Sequence, residues 1–220
     1  MRKNFHKNKY NSGTTLIELL VVIGIFAMIS GITIFNYGKF NSSLTTQNLA
    51  DDIALTIRRA QGYAIGVRGY DNAFDSGYGV HFTPNSTISD LYAGSKKSFI
   101  LFADLDGKKD YTYDNSEKCG DVKSSNECIE MLNILSSDEI ISIVVNEETE
   151  VLPGGSVDVL FKRPDPEPKF CYRRDSDSIS CTTEDSSSIK IKLSSGGKDE
   201  MIRWISIYNN GQISVSSNNN

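Results

Sequence analysis

Apolar and polar positions divide the chain into three regimes. Residues 19–38 are twenty positions without a single charge. At 1.5 Å of rise per residue they make about 30 Å of helix, the thickness of a bilayer core. In residues 47–66 the apolar side chains Leu49, Ile53, Ile57, Ala60 and Ala64 return at steps of four and three. That spacing predicts a helix with one apolar stripe, and Asp51, Asp52, Arg58 and Arg59 lie off it on a solvated face. Residues 40–46 are polar and separate the two segments, while Gly66 and Gly69 with Arg68 between them predict the helix end.

Past Gly69 strand signals take over. Strands are predicted at 78–82, 98–103, 140–145, 157–161, 189–193 and 201–208, with 131–135 ambiguous. Residues 203–208 and 212–215 flank Asn209-Asn210-Gly211, a strong hairpin turn. Strands that follow one helix without β-α alternation predict an α+β chain, a long amino-terminal helix packed on antiparallel sheet. The expected organisation is a basic leader at 1–13, a membrane-spanning helix at 14–39, an amphipathic stem helix at 40–69 and a β domain at 70–220, whose length suffices for one core.

Charge fixes the orientation. Residues 1–13 hold Arg2, Lys3, Lys7 and Lys9 and no acid, so the positive-inside rule keeps them cytoplasmic and sends everything after the apolar run outward. The whole chain has 23 Lys and Arg against 28 Asp and Glu; without the four leader cations the balance is near −9. An acidic exterior repels phosphates, and nucleic acid is not an expected partner. The most basic local stretch, Lys162, Arg163, Lys169, Arg173 and Arg174, is offset by Asp165, Glu167, Asp175 and Asp177.

The four cysteines fall in two close pairs, Cys119 with Cys128 and Cys171 with Cys181. Outside the cytoplasm disulfides persist, and pairing within each close pair is the simplest of the three connectivities four cysteines allow. No Cys-x-x-Cys spacing exists, and His6 and His81 are the only histidines, which argues against zinc.

Between the leader and the apolar run stands Gly13-Thr14-Thr15-Leu16-Ile17-Glu18-Leu19-Leu20-Val21-Val22-Ile23. Glu18 is the odd residue, because a charge near the start of a spanning helix costs about 2–3 kcal/mol unless it is paired. This segment resembles the processing and methylation motif of type IV pilins and type II secretion pseudopilins. The resemblance implies a prepilin peptidase that cuts after Gly13 on the cytoplasmic side and methylates the new amino terminus, Thr14, where the family most often has Phe. It implies further that Glu18 pairs with the Thr14 amine of a neighbouring subunit, which relieves the unpaired charge. A cleaved secretory signal fits less well, since residues 27–31 lack a small-x-small site. A plain signal anchor gains nothing from Glu18.

Residues 51–69 resemble, more loosely, the equivalent helix of GspH-like pseudopilins and their minor-pilin relatives, which implies an all-β domain after it. The partners implied are other pilin or pseudopilin subunits, the prepilin peptidase and an inner-membrane assembly platform. The location implied is the cytoplasmic membrane, single-pass, and then a filament.

Two other clusters invite chemistry. Asp104, Asp106, Asp110, Asp114 and Glu117 gather five carboxylates around Gly107 in fourteen residues, a candidate Ca²⁺ loop. The spacing misses the EF-hand pattern, and Lys108 and Lys109 partly neutralise it; the competing reading is a solvated β-turn. His81 lies in a Tyr-Gly-Val-His-Phe strand pattern, which suits a packed or surface histidine better than a general base. With no Gly-x-Ser-x-Gly or phosphate loop, no cofactor and no enzymatic activity are expected.

Overall fold

The computed structural model describes residues 14–66, 68–70, 76–83, 94–105, 112–113, 119, 126–146, 149–151, 155–162, 164–173, 179–181, 188–196 and 198–217. The element that organises them is helix α1, Leu16–Ile65. It runs unbroken through the polar residues 40–46, in keeping with the long amino-terminal helix, spanning and then amphipathic, expected from the sequence. Those residues contain neither Gly nor Pro, so their polarity does not end a helix; it serves contacts described below. By its contacts the chain divides into two units, residues 1–41 and 42–220.

In the first unit the described residues are helical from Leu16 on, with apolar side chains exposed all round, such as Phe26, Met28 and Phe35.

In the second unit α1 buries Leu49, Ala50, Ile53, Ala54, Ile57, Ala60 and Ala64. This is the predicted stripe with two further alanines. It ends at Ile65, with Gly66 N–H donating to the Gly62 carbonyl at 2.9 Å. Arg68, expected to answer the helix dipole, instead sets its guanidinium 4.1 Å from the Tyr63 ring centroid.

Eleven strands follow among the described residues: β1 (Gly77–Phe82), β2 (Ser98–Asp104), β3 (Cys128–Asn133), β4 (Asp138–Val145), β5 (Thr149–Glu150), β6 (Ser156–Phe161), β7 (Pro168–Arg173), β8 (Ser180–Cys181), β9 (Ser188–Ser195), β10 (Lys198–Tyr208) and β11 (Ile213–Ser216). They form two sheets in the orders β3-β2-β1-β6-β7-β8 and β11-β10-β9-β4-β5, and every pairing is antiparallel. The α+β class expected from the sequence is the class observed. The ambiguous stretch 131–135 resolves into the end of β3 and residues past it.

The α1 stripe joins Tyr78, Val80 and Phe82 of β1, Val157, Val159 and Phe161 of β6, and Ile189, Ile191 and Leu193 of β9 in a single core cluster. Alternation along each strand sends the intervening side chains to the opposite face. On the six-stranded sheet that opposite face is covered as well: Ile100, Phe102, Leu160, Cys128 and Tyr113 form a second, smaller cluster. Coverage on both faces explains why β1 and β2 are buried at every position.

Polar contacts hold α1 to the sheets at both ends of its stripe. Thr46 Oγ1 donates to the fully buried Asp138 (2.7 Å), whose other oxygen accepts from Ser136 Oγ (2.5 Å). Arg203 donates to Gln47 Oε1 (2.8 Å) and to Ser43 Oγ (3.1 Å). Nearer the end of the helix, Gln61 Nε2 donates to the Pro166 carbonyl (2.9 Å) and the Gly211 carbonyl (3.3 Å), and Arg58 to the Ile213 carbonyl (3.3 Å).

Candidate functional site

The first turn of α1 is built by two residues of the prepilin-like segment. The Thr15 backbone N–H and Thr15 Oγ1 both donate to Glu18 Oε2, at 3.2 and 3.1 Å, and the Glu18 N–H donates back to Thr15 Oγ1 at 3.4 Å. Thr15 is therefore the N-cap and Glu18 the third helical residue of a reciprocal capping box. The carboxylate also sits at the positive end of the helix dipole. Glu18 thus has partners inside its own chain. The pattern Thr-x-x-Glu ahead of an apolar run was legible in the sequence as a capping box, and only the charge of Glu18 had been weighed.

From that cap the helix presents apolar surface on every side. Phe35 is 87% exposed, Met28 74% and Phe26 72%. The helix is long and apolar enough to cross a membrane. Within it the Thr33 hydroxyl is satisfied without water, Oγ1 donating to the Ile29 carbonyl at 2.9 Å.

The other expected sites fall as follows. Gly13 lies outside the described residues, and Thr14 is exposed immediately before the cap. Cys119 is bonded to Cys128 and Cys171 to Cys181, with Cα–Cα distances of 5.3 and 4.0 Å. The first bridge attaches the cover of the six-stranded sheet to β3; the second joins directly opposed residues of β7 and β8. Asp104 is buried at the end of β2, opposite Gly77, while Asp106, Asp110, Asp114 and Glu117 lie outside the described residues. Among the described residues no three His, Cys, Asp or Glu side chains gather as a metal site.

His81 is buried, and its Nδ1 lies 2.7 Å from Asp158 Oδ1, also buried. The two are directly opposed across β1 and β6. Asp158 was missed, because 77 residues separate it from His81 and only strand register joins them.

Comparison with known proteins places three findings beside this geometry. No curated protein matches the chain in sequence. Among solved structures, the type IV minor pilin FimU of Pseudomonas aeruginosa matches with a TM-score of 0.40 and 10% identity, over 83% of this chain and 92% of that one. The family model described as the prokaryotic N-terminal methylation motif matches residues 8–34, the end of the leader, the capped first turn and most of the apolar run. The amino-terminal segment of this chain is therefore a prokaryotic N-terminal methylation motif, as its resemblance to prepilin processing segments had implied.

Proposed function

We propose that the chain is a structural filament subunit of the prepilin class, a GspH-like pseudopilin or minor pilin of a type II secretion or type IV pilus apparatus. The observation that carries this reading is the methylation motif at residues 8–34 opening onto a helix whose apolar surface is exposed all round. A prepilin peptidase cuts after Gly13 and methylates Thr14. The surface that lipid covers in the cytoplasmic membrane is then covered by neighbouring subunits in the filament, where van der Waals packing replaces lipid contact. Gly24 and Gly31 lower the steric profile of that surface. The β domain lies outside the cytoplasm, stapled by its disulfides, and its role is structural, not enzymatic.

The test is the intact mass of the full chain from membranes of cells with and without prepilin peptidase. A chain starting at Thr14 and heavier by one methyl group, seen only with the peptidase, is the expected result. An uncut chain in both strains ends the reading.

The capping box favours a second reading, a membrane-anchored module that never polymerises, since Glu18 already has partners in its own chain. Glu18→Gln separates the two, because Gln completes a capping box as Glu does but carries no charge. A filament subunit that needs the charge drops out of filaments with this variant; a monomeric anchor is unaffected.

A further inference from the structure

Strand β3 is an edge of the six-stranded sheet, and among the described residues no strand pairs with its outer side. The other edge strands are shorter: β8 and β5 have two residues each, and β11 has four, two of them serines. β3 has six residues, without proline or lysine. Its register shift lies at its start, across from Leu101 and Phe102, and leaves residues 130–133 regular. An edge of that length and composition is a template for a further strand. Ser98 stands opposite Asn133, and the Ile134 N–H donates to the Lys97 carbonyl. The alternation of an antiparallel ladder therefore turns the N–H and C=O of Met131 and Asn133 outward.

Beside that edge a groove of about 340 Å³ lies between β3 and α1, lined by Leu132, Asn133 and Ile134 on one side and by Asp52, Leu55 and Arg59 on the other. Leu55 is 64% exposed, and Leu135, next along the chain from Ile134, is 96% exposed. Large apolar side chains thus stand in water on both walls. Arg59 pairs with Glu130 of β3, and its Nε is buried with no hydrogen-bond partner among the described residues. Asp52 is exposed and forms no ion pair among the described residues.

We propose that this edge and groove form a docking site for an extended segment of a partner polypeptide, apolar with at least one cation, which adds to β3 as a further strand. Main-chain hydrogen bonds to Met131 and Asn133 supply its affinity. Side chains alternate along a strand, so those on the α1 side enter the groove. Leu55 and Asp52 are one helical turn apart on α1, and they receive an apolar side chain and a cationic one two residues apart. Charge selects the segment. Arg59 and Glu130 neutralise each other, so Asp52 leaves the groove negative, and the chain without its leader is near −9. A second copy, equally acidic, is repelled at long range, whereas a basic segment is drawn in. The site is independent of the filament reading, since it uses nothing amino-terminal to residue 42.

The experiment uses the full chain, ¹⁵N-labelled, in dodecylphosphocholine micelles. The probe is the peptide acetyl-Thr-Val-Lys-Val-Leu-Val-Thr-amide, with two counterparts: one has Glu in place of Lys, and one has Pro in place of each Val and cannot extend a sheet. The expected result is saturable binding of the lysine peptide with Kd below about 1 mM, carried by amide shifts at Met131 and Asn133. The glutamate peptide binds about tenfold more weakly, and the proline peptide does not bind. Asp52→Asn removes the preference for Lys over Glu, and Leu55→Ser, at an exposed position, weakens the lysine peptide about fivefold. No saturable shift at Met131 and Asn133 up to about 5 mM lysine peptide overturns the inference. So does binding that the proline peptide matches or that both variants leave unchanged. Shifts at the same amides that grow with protein concentration in the absence of peptide also overturn it, and assign the edge to a second copy.

Discussion

Met28 and Ile57 belong to the same unbroken helix, yet one is 74% exposed and the other fully buried. The two halves of α1 differ in how apolar residues are arranged, not in how apolar the large side chains are. In the first half they occupy every side, with Leu16, Val21, Phe26, Ile29, Ile34 and Phe35 all exposed. In the second most of them fall on one buried stripe, interleaved with Ala50, Ala54, Ala60 and Ala64, with Leu55 off it and exposed. The alanines let the helix backbone approach the sheets closely, which all-round Leu and Phe do not permit. A surface apolar on all sides suits surroundings that are the same in every direction, lipid or a ring of like helices. A stripe suits one fixed partner.

The sharpest way to break this comparison is truncation at equivalent side chains in the two halves. Ile57→Ala leaves a cavity in the core and is expected to cost about 2–5 kcal/mol, read as a lower urea midpoint for the full chain in micelles. Asp138→Ala removes the buried acceptor that the Thr46 and Ser136 hydroxyls share and is expected to cost about 1–3 kcal/mol by the same measurement; an unchanged midpoint would show that the polar contacts of residues 42–47 do not hold the helix. Glu18→Ala removes half the capping box and is expected to cost about 1 kcal/mol, confined to the first turn. Amide exchange reads it, faster at residues 16–19 and unchanged at 50–60. Ile23→Ala should change the unfolding free energy, read from the urea midpoint, by no more than about 0.5 kcal/mol, since that side chain is 57% exposed.

Legibility in the sequence followed the range of the interaction. The stripe of α1 and the alternation of the core strands are set by neighbours in the chain, and both were readable. So was the Asn209-Asn210-Gly211 hairpin, where the Gly211 N–H donates to the Tyr208 carbonyl at 2.9 Å and the Tyr208 N–H to the Gln212 carbonyl at 3.0 Å. In residues 40–46 the polarity was readable but its purpose was not, because Ser43 and Thr46 meet Arg203 and Asp138, far away in sequence. Strand β7 was not among the predicted strands, because Pro164, Pro166 and Pro168 are poor strand residues; Pro168 is nevertheless the first strand residue, where a missing N–H is tolerated. At the amino terminus the motif was readable in full, whereas the His81–Asp158 pair depends on the register of β1 against β6, and no local pattern encodes that.

The hairpin turn has a consequence for how much sequence change this fold can absorb. Gly211 has φ +80°, a backbone conformation that glycine adopts freely and other residues resist. A Cβ there would also stand 2.5 Å from the Pro166 carbonyl oxygen and 2.7 Å from Gln61 Nε2. The two sheets share no strand, so at this corner their clearance is set by one missing methyl group and one glutamine amide that touches both turns. Drift at position 211 is therefore not a private matter of one hairpin: a larger residue acts as a wedge between two sheets and the end of the helix.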